Sequence, residues 1–174
     1  GNASGNLGVP ITLTPNYGYD GSKDKPARAT VEAVYQQIIA DMTDAATNLP
    51  EENIDYRLGR YAANAFLSRV YLNMGDYTNA ASNANTVINS GLYGLTPSYG
   101  NAFNGLSNTV EDVFAIQQTA QSNAGTTNGG LTTFYSPQPA GRGDAQINFG
   151  YFDYFSTGDT RPDFTYIGVS IAGF

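Results

Sequence analysis

The chain has 174 residues, 41% hydrophobic and 13% aromatic, which suits one folded domain with a core and excludes a disordered chain. Eight basic against fifteen acidic residues give a net charge of −7, a surface that repels phosphate backbones and argues against nucleic acid as a partner. The absence of His and Cys removes Ser-His-Asp and Cys-His nucleophile systems, the common zinc sites and thiol redox chemistry; no cofactor or metal is implied.

Residues 1–26 carry Gly, Pro, Asn and Ser punctuation around one short extended piece, Val9 to Thr14, and read as a surface-running coil. The opening GNASGNLGVP lacks the charged and apolar regions of a signal peptide, so an export signal or lipid anchor is expected upstream or already removed. No apolar run approaches the roughly 20 residues of a membrane span. Thr30 then opens a long amphipathic helix whose apolar face is Val31, Val34, Tyr35, Ile38, Ile39, Met42, Ala45, Ala46 and Leu49, and Pro50 marks its end.

Gly59 to Tyr93 reads as a helical hairpin. Ala62, Ala63, Phe66, Leu67, Val70, Tyr71 and Met74 form one stripe, and Tyr77, Ala80, Ala81, Ala84, Val87 and Ile88 form the second. Gly75 stops the first helix, Asp76 is an N-cap for the next, and Gly91 closes it. The spacing is that of a tetratricopeptide repeat, with Ser68 where the repeat prefers Gly and Asn64 where it prefers Trp. A lone repeat cannot bury both faces, so flanking helices are expected; without them the chain should expose apolar surface and self-associate.

Leu92 to Thr109 is loop-like, and Val110 to Gln118 has the alternation of a short strand. From Thr119 onward Gly, Asn, Thr, Ser, Gln and scattered aromatics show no sustained period, which marks a functional loop region. The fold class is mainly α: a long helix, a tetratricopeptide-like hairpin, then a loop-rich segment with a short strand. As one incomplete domain it divides into coil at 1–26, helical scaffold at 27–95 and irregular ligand-facing loops at 96–174.

Three segments in order resemble the SusD/RagB family, the surface lipoproteins that partner outer-membrane transporters in Bacteroidetes nutrient uptake. They are Gly8 to Thr12 (GVPIT), Arg28 to Pro50, and Gly59 to Leu95. Glu111 to Gln117 is similar to the family's acidic residue before a strand, and Gly158, Asp159, Thr160 and Arg161 resemble its closing GDxR element. The family pattern has more chain on both sides, including an anchor cysteine, so the sequence looks like an internal fragment. The resemblance implies tetratricopeptide helices supporting a non-catalytic oligosaccharide or nutrient binder on the extracellular face of the outer membrane. It also implies a SusC-like TonB-dependent transporter as partner.

Sugars are held by aromatic rings against their C–H faces and by amides, carboxylates and guanidinium groups at their hydroxyls, on preformed loops. Gln117 to Asp144 supplies that kit in Gln118, Asn123, Asn128, Phe134, Tyr135, Gln138, Arg142 and Asp144. The competing reading is that Phe134 and Tyr135 plug the loop onto the helices, since with thirteen Tyr and nine Phe most aromatics must be structural. Asp144, Asp153, Asp159 and Asp163 could furnish the paired carboxylates of a glycoside hydrolase, but Asp159 and Arg161 read better as a loop ion pair. Arg142-Gly143-Asp144 is an adhesion-type tripeptide read as turn chemistry. Asp20 to Asp24 imitates the start of a calcium loop but lacks its Gly and Glu. From a different class, the chain could be a protein-interaction scaffold without a glycan ligand.

Overall fold

The computed structural model describes residues 4–15, 17–18, 20–21, 25–51, 57–102, 108–116, 121 and 148–164. The chain forms two compact units, Gly1–Gly94 with Asp112–Phe114, and Leu95–Glu111 with Ala115–Phe174.

Three helices build the first unit: α1 (Val31–Asn48), α2 (Arg60–Met74) and α3 (Tyr77–Asn89). Thr30 is the N-cap of α1, its side chain accepting from the Ala33 N–H at 3.1 Å, and Glu32 places a negative charge in the first turn. The helix ends where Leu49 turns extended before Pro50. Arg60 then ties the connection: its backbone N–H donates to the Pro50 carbonyl at 2.7 Å and its Nε to the Leu49 carbonyl at 3.1 Å. A guanidinium on the last carbonyls of α1 also meets the negative end of that helix.

Between α2 and α3, Gly75 adopts φ +80, a left-handed conformation that a side chain would strain. Its N–H and that of Asp76 close back onto the Leu72 and Tyr71 carbonyls, satisfying the end of α2. Asp76 caps α3 by accepting from the Asn79 N–H at 3.1 Å and the Asn79 side chain at 2.6 Å. Those two hydrogen bonds hold its carboxyl below the ordinary value.

Helix α2 is the middle of the layer, packed against α1 on one side and α3 on the other. It therefore contributes most of the core: Ala62, Ala63 and Leu67 are buried, joined by Ala80 and Val87 from α3. The Ser68 hydroxyl donates to the Ala80 carbonyl at 2.9 Å. A small side chain there lets the α2 and α3 backbones approach, and the hydroxyl adds a second hydrogen bond to a carbonyl inside α3.

The stripes are narrower in the structure than in the sequence pattern. All nine apolar-face residues of α1 are half-buried and none is buried, because among the described residues α1 packs mainly on one helix, α2, rather than two. On α3 only Ala80 and Val87 are buried and Ala84 half-buried, whereas Tyr77, Ala81 and Ile88 are exposed, as are Phe66 and Met74 on α2. On α3 the exposed arc of Tyr77, Ala81 and Ile88 lies beside the buried Ala80 and Val87.

The N-terminal coil is anchored. An isolated antiparallel bridge joins Leu7 to Thr30, with Gly8 N–H to the Ala29 carbonyl at 2.7 Å and Val31 N–H to the Asn6 carbonyl at 2.8 Å. Arg28 adds two bonds, to the Gly8 and Leu7 carbonyls at 2.6 and 2.7 Å. A Cβ on Gly8 would meet Val34 Cγ2 at 3.0 Å, so the close lie of this segment on the first turn of α1 depends on that glycine. The pairing sits at residue 7, ahead of the extended piece expected from Val9.

The strand expected at Val110 to Gln118 takes a different form over its described part, 110–116. The chain turns at Val110 and Glu111 and bends at Val113 and Phe114, without a ladder partner among the described residues. Phe114 instead packs edge-on against Phe66, ring centroids 6.2 Å apart. An apolar alternation makes a strand only where another strand supplies its hydrogen bonds; here the anchor is a side chain. The region expected to be loop at 92–109 contains one helical turn, α4 (Tyr99–Ala102), and two short 3₁₀ helices occur at Phe149–Tyr154 and Arg161–Phe164.

Candidate functional site

The helical layer carries a groove of about 480 Å³ lined from all three helices, with Thr43 and Thr47 on α1, Arg60, Tyr61, Asn64 and Tyr71 on α2, and Asn83 and Thr86 on α3. Its composition suits a polar ligand, but its amide, guanidinium and two of its threonine donors bond to the scaffold. Asn64 Nδ2 donates to the Arg60 carbonyl and Asn83 Nδ2 to the Asn79 carbonyl, both at 2.9 Å. Thr47 and Thr86 donate to the Thr43 and Ser82 carbonyls at 2.9 and 3.1 Å, one turn back in each case. Arg60 is spent on Leu49 and on Glu51, 3.5 Å away. Such a surface offers amide and hydroxyl oxygens as acceptors, and its two tyrosines, Tyr61 and Tyr71, are half-buried.

A second cluster lies in the second unit, around the 3₁₀ helix Phe149–Tyr154. Asn148 caps this helix, its side-chain oxygen accepting from the Gly150 N–H at 3.0 Å. Tyr151 meets Phe152 and Phe155 edge-to-face, with centroids 5.7 and 4.9 Å apart. The Arg161 guanidinium stands 5.1 Å from the centre of the Phe155 ring, within cation–π range.

Asp159 grips Arg161 three ways. It accepts from the Arg161 backbone N–H at 3.0 Å, from Nε at 2.9 Å, and from Nη2. These contacts, the side-chain bond foremost, pull the Asp159 carboxyl down to about 2, and the same bond raises the guanidinium. The ion pair read from the sequence is thus present, and it gives Asp159 the wrong chemistry for a glycosidase acid, whose pKa must be raised. Asp153 is exposed on the 3₁₀ helix Phe149–Tyr154.

Gln118, Asn123, Phe134, Tyr135, Gln138, Arg142 and Asp144, the residues selected as a ligand site, lie outside the described residues, as does Asn128. So does the whole Arg-Gly-Asp tripeptide; of the calcium-like stretch, only Asp20 and Gly21 are described. Among the described residues no group of three or more His, Cys, Asp or Glu could hold a metal ion. Tyr151, Tyr154 and Phe155 were not among the residues read from the sequence; their signal is a spacing of three and four residues from Tyr151 within one six-residue 3₁₀ helix and its cap.

Residues 3–72 match the profile of a family, SusD-like_3, described as starch-binding and associating with the outer membrane. A SusD superfamily protein from Bacteroides thetaiotaomicron VPI-5482, solved by crystallography, is 38% identical and aligns over 74% of this chain with a TM-score of 0.62. A second, from Bacteroides vulgatus ATCC 8482, is 29% identical over 69% of the chain with a TM-score of 0.55. The chain spans 28% of the length of each of these two structures. None of the curated proteins compared matches it.

Proposed function

We propose that this chain, SusD-like by its sequence match and its fold, is a non-catalytic binding component of an outer-membrane glycan uptake system. It captures oligosaccharide on the extracellular face of the outer membrane and works with a SusC-like TonB-dependent transporter. The observation that carries the reading is the match of residues 3–72 to a family described as starch-binding and associating with the outer membrane. No helix among the described residues is long and apolar enough to cross a membrane, so attachment in this reading falls to a lipid anchor or to the transporter.

Capture without chemistry agrees with the side chains available. The chain has neither His nor Cys, and Asp159 is held ionised by Arg161. The proposed ligand contacts from the sequence are Gln118, Asn123, Phe134, Tyr135, Gln138, Arg142 and Asp144. Calorimetry with starch oligosaccharides, run beside a reducing-end assay, tests the reading: heat of binding with no sugar released is expected. Release abolished by replacing Asp144, Asp153, Asp159 or Asp163 would make the protein a hydrolase instead.

One observation favours a second reading, an interaction scaffold. Tyr77 and Ile88 on α3 are 71% and 67% exposed beside the buried seam, an apolar row suited to protein contact. That reading expects no sugar binding, and self-association or partner binding that Ile88→Asp abolishes.

A further inference from the structure

We propose that Tyr151 and Tyr154 form a stacking platform for a neutral α-glucan chain, a ligand subsite on the 3₁₀ helix Phe149–Tyr154. The inference rests on the glycan-binding reading above and gives it a location among residues that the family match, at 3–72, does not reach.

In a 3₁₀ helix, side chains at i and i+3 eclipse, so Tyr151 and Tyr154 share one edge, about 6 Å apart along the axis. Tyr154 is 87% exposed and Tyr151 43% exposed, although exposing two large rings side by side costs solvation that burial elsewhere would recover. Tyr151 is held in place all the same, by its edge contacts with Phe152 and Phe155. Phe155 is fixed in turn by the overlying Arg161, and Arg161 by the Asp159 fork. Asn148 caps the start of the turn and the Phe155 N–H closes its end onto the Phe152 carbonyl at 3.3 Å.

A ring with its orientation already set loses little freedom when a ligand stacks on it, which is the property a binding platform requires. Tyrosine offers an apolar face for sugar C–H groups and a hydroxyl for sugar oxygens; with no Trp in the chain, it is the only aromatic that does both. The net charge of −7 disfavours an anionic ligand, so a neutral glucan is the class that fits. The helical groove is the contrasting case, since its tyrosines are half-buried and its amide donors bond back to their own helices.

The test is calorimetric titration of the 174-residue chain with maltoheptaose, comparing wild type with Tyr154→Ala, Tyr151→Ala, Tyr154→Phe and the control Tyr77→Ala. Tyr154→Ala is the decisive arm, because a ring so exposed can be truncated without opening the core. Loss of either platform ring should weaken binding about tenfold or more, by analogy with base stacking on aromatic side chains. Tyr154→Phe keeps the stacking face and should retain most of the affinity, and Tyr77→Ala should match wild type. Wild-type affinity in both alanine variants would overturn the platform and leave the glycan-binding reading standing. No binding by the wild type would overturn both.

Discussion

The helical layer from Thr30 to Gly91 and the segment from Asn148 to Phe164 are made from the same kinds of residue, and they use them in opposite ways. In the layer, the amides of Asn64 and Asn83 and the hydroxyls of Thr47 and Thr86 bond back to their own helices, the Ser68 hydroxyl bonds across the seam, and the buried side chains are mostly small, so much of the polarity goes into holding shape. In the later segment, regular structure is limited to two short 3₁₀ turns, and an ion pair and three rings brace one another while Tyr154 remains in solvent. The difference teaches that residue type alone does not mark a binding surface. What marks it is whether the scaffold has already taken up the groups that a ligand would need.

The largest expected effect breaks the scaffold side of this comparison. Leu67 is 4% exposed at the centre of α2, and Leu67→Ala should cost about 2–5 kcal/mol through lost burial and a residual cavity. Urea denaturation followed by circular dichroism measures it. A cost under about 1 kcal/mol would mean the layer is not the stability centre. Next comes the α2–α3 seam, where Ala80→Leu should overpack the contact held by Ser68 and cost on the order of 1–3 kcal/mol. An unchanged midpoint would put Ala80 outside the seam.

A smaller loss is expected at the cap of α1, where Thr30→Ala should cost about 1 kcal/mol by leaving the Ala33 N–H without its partner. Thr30→Asn should restore most of it, and equal stability of all three proteins would contradict the cap. The smallest effect sharpens the other side of the comparison. Asp159 is depressed from 3.8 to about 2 by Arg161, so its contribution is present above the ordinary value and fades as pH falls toward 2. Melting temperature followed into acid should therefore fall more steeply for wild type than for Asp159→Asn over that interval. Parallel curves would show that the ion pair adds nothing to folding.

Much of the layer could be read from the sequence, because its signals are local. Thr30, Gly75 and Asp76 cap where cap chemistry puts them, and the nine-residue face of α1 is the face that turns inward. Periodicity gives a face but not how many neighbours cover it, which is why Tyr77, Ala81 and Ile88 joined a stripe whose buried part is Ala80 and Val87. Ser68 looked like a departure from the repeat and proves to be a working substitute, its hydroxyl bound to the facing backbone. The pairing of Leu7 with Thr30 joins residues far apart in the chain and leaves no local pattern to find. The Tyr151–Tyr154 edge escaped for a related reason: a three-residue period over one short turn is invisible to tests for periods of 3.6 or 2.

The central claim, that the helices support and the later segment binds, is tested most directly by amide NMR of the 174-residue chain titrated with maltoheptaose. The account predicts shift changes after residue 95, including Tyr151, Tyr154 and Phe155, with α1, α2 and α3 unmoved. Changes centred on Asn64, Tyr71, Asn83 and Thr86 would place the ligand in the helical groove and contradict it.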